Sequence, residues 1–271
     1  MTPDPNESAF LALSHEVERF YAGLMAAVAP DPKADGDPGP GGKLFFAGEL
    51  DARGRVLVIA ANIAGAATLT ATADEAAQKQ AFRDGVVDFL VTSLDEALRI
   101  LKNQIRKRET VAVCVAISPE TMQWEMLERG VLPDLVRPAD EFAAHSPFVS
   151  QGALQIPSPA QQGNLALVTW SVASAPAQWL PKLDAIAVEC IPSEDWRARR
   201  WLRLAPRYLG RLVQGTRLLV CGRAIAASIV ERMRGQVEQG VIGTRVEIQV
   251  ISGGLHDQHF LMPPGGSGIA S

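Results

Sequence analysis

Thr110 to Ile117 is an unbroken apolar run, Thr-Val-Ala-Val-Cys-Val-Ala-Ile. It is too short to cross a membrane, and it lacks the polar positions of a strand with one wet face. Such a run belongs to a strand buried on both sides, the normal state of a parallel sheet covered by helices. Its flanks agree. Upstream, Ser93-Leu94-Asp95-Glu96 is a capping box opening a helix whose core face is Leu94, Ala97, Leu98, Leu101 and Ile105. That helix closes on Arg106-Lys107-Arg108, where cations suit the C-terminal dipole. Downstream, Ser118-Pro119 supplies an N-cap and a first-turn proline, and Gly130 stops the helix after Arg129. Val86 to Val91 and Asp134 to Val136 read as further strands. This alternation predicts an α/β fold, a mainly parallel sheet with Rossmann-like βαβ units.

Three segments follow from the punctuation. Residues 1–41 hold a helix over residues 8 to 29, with Leu11, Leu13, Val17, Phe20, Leu24 and Val28 at helical spacing, and then a Pro/Gly-rich linker. Residues 42–150 carry the first α/β block. Residues 151–271 form a second, with strands expected at Leu165 to Val172, Ala185 to Cys190, Thr216 to Cys221 and Val246 to Ile251. Helices are expected over Ser193 to Arg203, broken or kinked by Pro206, and over Ile225 to Met233. Gly253 to His259 reads as a surface loop, its His256 and His259 being two imidazoles without a placed third metal ligand.

Charge and cysteine usage narrow the classes of partner. A formal net charge of −4 gives no general attraction for polyanions, so neither nucleic acid nor an anionic membrane is an expected partner. The stripe Arg197, Arg200, Arg203, Arg207 and Arg211, interleaved with Trp196 and Trp201, reads as a solvated face or a surface for an acidic partner. Cys114, Cys190 and Cys221 are odd in number and unpaired in spacing, which suits free thiols in a reducing compartment; a cytoplasmic location is expected.

Residues 44 to 84 admit two readings. One is a hairpin around Asp51-Ala52-Arg53-Gly54 followed by a long alanine-rich helix. The other is strand 44–50, a turn, a helix over about Val56 to Gly65, a strand over Thr68 to Ala73 and a helix from Asp74 to Asp84. Only the second puts a strand-turn-helix where a dinucleotide fold keeps its phosphate loop.

Several short motifs stand in register across this block: Ile63-Ala64-Gly65-Ala66-Ala67-Thr68-Leu69, Asp88, Ser93-Leu94-Asp95-Glu96-Ala97-Leu98, Arg129-Gly130-Val131-Leu132-Pro133-Asp134-Leu135-Val136, and Asp140 with Ala144-His145-Ser146-Pro147. Together they resemble the central NAD-binding domain of urocanase, the hydratase of histidine breakdown, over residues 42 to 147. The resemblance implies the second reading of residues 44 to 84.

It also implies a glycine-rich phosphate loop, which this chain lacks. The matching stretch is Glu49-Leu50-Asp51-Ala52-Arg53-Gly54-Arg55-Val56-Leu57, where Gly54 alone survives and Asp51 would repel phosphate. The family's ribose-binding acid falls at Thr72. No cofactor is therefore expected, NAD being the one candidate. Arg53 and Arg55 could hold another anion or be plain turn residues. In the second block Arg217-Leu218-Leu219-Val220-Cys221-Gly222 weakly resembles the family's strand carrying its catalytic thiol. Leu219 takes the thiol's place, and Cys221, two residues on and on the same strand face, is a displaced thiol or a buried core cysteine. Urocanase activity is not expected.

The sequence thus predicts a urocanase-related, catalytically divergent protein that binds a small ligand at the C-terminal edge of its sheet. Candidate ligand-binding residues are Asp140, His145, Ser146, Gly54 and Arg223, and Cys221 and His145 are the catalytic candidates. The alternatives are an NAD-assisted hydratase or lyase and a structural or partner-binding subunit; a homodimer or other homo-oligomer is the expected assembly.

Overall fold

A computed structural model describes residues 5–28, 38–138, 146–157, 165–210, 215–252 and 255–262. Two compact units emerge, one of His15–Pro159 and one of Met1–Ser14 with Ala160–Ser271.

The His15–Pro159 unit is a six-stranded, entirely parallel sheet. Its strands are β1 (Leu44–Glu49), β2 (Ala67–Ala71), β3 (Phe89–Val91), β4 (Val111–Val115), β5 (Leu135–Val136) and β6 (Leu154–Gln155), in the order β3-β4-β2-β1-β5-β6. Between them run α2 (Ala52–Ala64), α3 (Glu75–Arg83), α4 (Leu94–Lys107) and α5 (Pro119–Glu128). The α/β class and the strand-turn-helix reading of residues 44 to 84 both hold, and the hairpin reading falls. Its alanine-rich tail is cut by Gly65, a left-handed C-cap with φ 95° that ends α2 and releases the chain into β2.

Alternation along the strands divides the core. Leu44, Phe46, Leu69, Ala71, Val113, Val115 and Val136 pack with Leu94, Ala97 and Leu101 of α4 and Met122 and Met126 of α5. Phe45, Ala47, Thr68, Thr70, Ala112 and Cys114, all buried, point to the opposite face. There α2, buried from Val56 to Ala64, lies on β1 and β2. The long helix α1 (Pro5–Ala27) adds Val17, Phe20, Tyr21, Leu24 and Met25 to the buried set. Its Gly23 backs onto the residues just after β6, where an added Cβ would lie 3.0 Å from both Ile156 Cγ2 and the Pro157 carbonyl oxygen.

The second unit holds a four-stranded antiparallel sheet of β7 (Leu165–Val172), β8 (Thr216–Gly222), β9 (Val246–Ser252) and β10 (Leu255–Met262), ordered β10-β9-β7-β8. Its helices are α6 (Pro176–Cys190), α7 (Trp196–Leu209) and α8 (Arg223–Glu238). Strands β8 and β9 are joined through α8 with β7 between them, so the expected βαβ unit is present in split form.

Three local expectations are overturned in this unit. Ala185–Cys190 is the end of α6 and not a strand: Pro176 starts the helix and Leu180, Leu183 and Ala187 form its buried stripe. That 3.6-residue period outweighs the β-branched Ile186 and Val188. Of the break or kink expected at Pro206, the break does not occur: α7 runs on to Leu209 with Pro206 inside it. Buried Ala198, Trp201, Leu202, Ala205 and Leu209 hold it, and Trp201 donates its indole N–H to the Leu218 carbonyl at 2.6 Å. Leu255 to His259, read as loop, begins β10 and pairs with β9, His259 opposite Gln249.

Candidate functional site

The chain direction reverses between β1 and β5. From β1 the connections pass through α2 to β2, while α5 carries the chain from β4 across to β5 on the other side of β1. The carboxyl ends of β1 and β5 thus flank a topological switch point, where open α/β sheets bind ligands.

The β1–α2 connection at that point is short and filled by its own side chain. Asp51 is the N-cap of α2, and its carboxylate accepts the Gly54 N–H at 2.6 Å. A dinucleotide phosphate would need the same helix N-terminus and would meet a carboxylate already on it. Gly54 packs against β1 so tightly that an added Cβ would run into the Glu49 carbonyl oxygen. The one glycine shared with the family's phosphate loop is thus explained by helix–strand packing.

The two turn arginines separate in role. Arg55 is tied to the C-cap of α3, its Nη2 lying 2.5 Å from Asp84 Oδ2. The Arg53 guanidinium lies 5.7 Å above the centre of the Phe20 ring of α1. At the end of β5, Arg137 spreads over Gly48: Cδ and Nη1 would both lie 3.4 Å from a Cβ placed there. Gly48 makes this approach at φ 74°, beside a bulge in β1, and the Thr70 hydroxyl donates to its carbonyl at 2.8 Å. Neither Arg137 nor Gly48 stands out by sequence pattern, because the bulge that pairs them is not legible in residue types.

Where the ribose acid would sit, buried Thr72 is turned inward: its hydroxyl accepts the Asp74 N–H at 3.2 Å and its carbonyl accepts Gln78 Nε2 at 2.8 Å. Ser146 is partly buried, and its carbonyl accepts the Val149 N–H at 3.0 Å, opening the turn that seats Phe148 against Phe46. Asp140 and His145 lie outside the described residues.

Residues 31–158 match the family model of the urocanase Rossmann-like domain. The match takes in the whole six-stranded sheet and a little under half of the 271-residue chain. Its shared motifs are largely scaffold. Asp88 accepts the Ala112 N–H at 2.8 Å and anchors β4. Asp134 accepts the Leu44 N–H at 2.9 Å and pairs with Lys43, fixing the start of β1. Arg129 and Asp95, from two separate motifs, form an ion pair at 2.5 Å, and Gly130 takes φ 64° to leave α5. Among the described residues, those that carry the resemblance to the urocanase domain are therefore ones that build the sheet.

In the second unit, Cys221 and Arg223 bracket the turn from β8 into α8, and Arg223 is exposed at the first helical position. Burial, with Asp195 and Cys190 adding to it, pushes the Cys221 thiol up to about 12, so at neutral pH it is held protonated and un-nucleophilic. The arginines at 197, 203 and 207 are on the exposed side of α7, with Arg197 over Trp196 and Arg207 over Tyr208. Among the described residues no group of three His, Cys, Asp or Glu side chains is placed to hold a metal, and no helix is long and apolar enough to cross a membrane.

Proposed function

We propose that the chain binds a small metabolite at the carboxyl edge of its six-stranded sheet, at the β1–β5 switch point, without a dinucleotide grip and without urocanate hydration. The observation that carries this reading is the Asp51 carboxylate seated on the α2 N-terminus at 2.6 Å from the Gly54 nitrogen, in the place of a phosphate loop. A Rossmann-like sheet supports nucleotide-sized ligands in general, and this cap argues against a pyrophosphate in the family manner. Asp140, His145 and Ser146, which follow β5 in the chain, would complete the site, His145 positioning the ligand or moving a proton on it. Gly54 serves by packing.

The test is direct. The purified protein is assayed by absorbance and mass spectrometry for retained NAD and for loss of urocanate absorbance, and neither is expected. A metabolite screen by thermal shift, repeated on His145→Ala, should find a stabilising compound whose effect the variant loses while its own denaturant midpoint stays within about 1 kcal/mol of wild type. Stoichiometric NAD, or steady turnover of urocanate, would instead establish the hydratase reading. A wild type that responds to no compound in the screen would favour a structural subunit.

A further inference from the structure

One edge of the parallel sheet is left apolar and open. β3 ends the sheet, and β4 beside it is buried at every position. Along β3 the burial stops: Asp88, Phe89 and Leu90 are exposed in succession, Phe89 at 44% and Leu90 at 37%. Alternation sends the two apolar side chains to opposite faces. Phe89 is level with Val113 and so lies on the α4 side with Val91, while Leu90 is level with Cys114 on the other side. The chain reaches β3 through α3, which lies against it and carries Phe82, 53% exposed. The edge strand and the helix leading into it thus leave three large apolar side chains in water.

An edge strand turns alternate N–H and C=O groups outward, and natural edges are blunted by lysine, proline or an inward charge. Phe89-Leu90-Val91 contains none of these. It is instead matched to itself. A second β3 laid antiparallel about a twofold axis at Leu90 sets Leu90 opposite its own copy on one face and Phe89 opposite Val91 on the other, apolar against apolar at each position.

The flanking helices fit the same symmetry. α3 has Glu75 in its first turn and Arg83 in its last, and α4 has Asp95 and Glu96 in its first turn and Arg106 and Lys107 in its last. A twofold axis perpendicular to the sheet runs α3 antiparallel to its copy on one face and α4 antiparallel to its copy on the other, acidic ends toward basic ends. A partner surface of one sign would be repelled at one end of each helix. The charge pattern therefore selects a second copy of this chain.

We propose that β3 is the seam of a homodimer, in which two copies pair edge to edge and antiparallel about Leu90, with Phe82, Phe89 and Leu90 as the apolar contacts. β4 and β2 stand between β3 and β1, so the seam leaves the β1–β5 switch point open and the inference is independent of the ligand reading.

The experiment is analytical ultracentrifugation of the full chain, which should sediment as a dimer at tens of micromolar. Leu90→Lys and Phe89→Lys put a charge into the seam at positions that are exposed within one copy, and each should weaken dimerisation by roughly tenfold or more. Leu154→Lys, on β6 at the opposite edge, should leave the dimer as it is. A second measurement covers the case in which a lysine variant fails to fold: Leu90→Cys, in a Cys190→Ser background, should cross-link to its own copy through a short bis-maleimide, and Leu154→Cys should not. A monomeric wild type overturns the proposal. So does a dimer that the β3 lysines leave unchanged, one that Leu154→Lys weakens equally, or one in which Leu90→Cys gives no cross-link.

Discussion

Gly54 lies with its Cα pressed onto the carbonyl oxygen of Glu49, so close that a single added methyl group could not be placed there without moving the backbone. The contact joins the first turn of α2 to the end of β1 and sets the height at which Asp51 caps the helix. Because the obstructing atom is backbone and cannot rotate away, Gly54→Ala should lower unfolding free energy by several kcal/mol, on the order of the larger single-site losses, or prevent folding. Gly235, inside α8 with open space around its would-be Cβ, is the control: Gly235→Ala should stabilise by about 0.5 to 1 kcal/mol through helix propensity. Denaturant midpoints of the two variants check both signs. A tolerated Gly54→Ala would mean that the β1–α2 junction is looser than described.

Thiol chemistry separates the three cysteines. Cys114, inside β4, and Cys221, inside β8, are buried, and burial pushes each thiol up to about 12. Cys190 ends α6, partly buried, with an Arg232 nitrogen 3.9 Å from its sulfur. A maleimide reagent at neutral pH should therefore label Cys190 first, with Cys114 and Cys221 protected until denaturant opens their strands. Mass spectrometry of a labelling time course decides it. Fast native labelling of Cys221 would reopen the displaced-thiol role.

The first unit was legible because its signals are local and agree with one another: Ser93 and Ser118 cap α4 and α5 as their sequence contexts predict. There Glu96 accepts the Thr92 N–H at 2.9 Å, and the Ser93 backbone, the reciprocal partner a capping box predicts, also holds its carboxyl down. The second unit was less legible because its elements depend on tertiary partners. Ile186 and Val188 favour a strand taken alone, and only Leu183 and Ala187 packing inward makes α6. The candidate site was half legible. The loss of the phosphate loop is visible in Asp51 and Arg53, but the meeting of Arg137 with Gly48 depends on a bulge and a register that residue types do not encode.

A buried polar network in the second unit makes a third prediction. The Asp184 carboxylate of α6 accepts the Trp170 indole N–H at 3.0 Å and the Arg217 Nε–H at 2.9 Å, tying the helix to two neighbouring strands. Burial raises the Asp184 carboxyl above its usual range, with Arg217 and Trp170 opposing that rise. Asp184→Ala leaves the half-buried Arg217 cation without this partner and should cost about 3 to 5 kcal/mol. The double change Asp184→Leu, Arg217→Met should recover most of that loss, since an apolar pair replaces the ion pair. A double variant as unstable as the single would assign the energy to Trp170 and helix packing instead.

Glu18 gives the pH dependence. In α1 between buried Val17 and Phe20, its carboxyl is raised from 4.5 to about 7 by burial, with Arg19 opposing. Below about pH 4.5 the group is protonated in folded and unfolded chains alike and has no effect on the balance. Between about 4.5 and 7 the folded chain keeps a proton that the unfolded chain has released, so stability falls as pH rises, and the full cost is present above about 7. His15, one turn earlier, acts in the opposite sense: burial, then Arg19, lowers its value, which favours the folded chain as pH rises. Comparing wild type with Glu18→Gln cancels the histidine contribution, because both proteins carry it. The variant should match wild type near pH 4 and exceed it by roughly 1 to 3 kcal/mol at pH 8, the range set by a partly exposed carboxyl. Urea midpoints across that span measure the difference. A variant equal to wild type at pH 8 would place Glu18 in water, and one that is less stable at every pH would mean that its charged form is held by a partner.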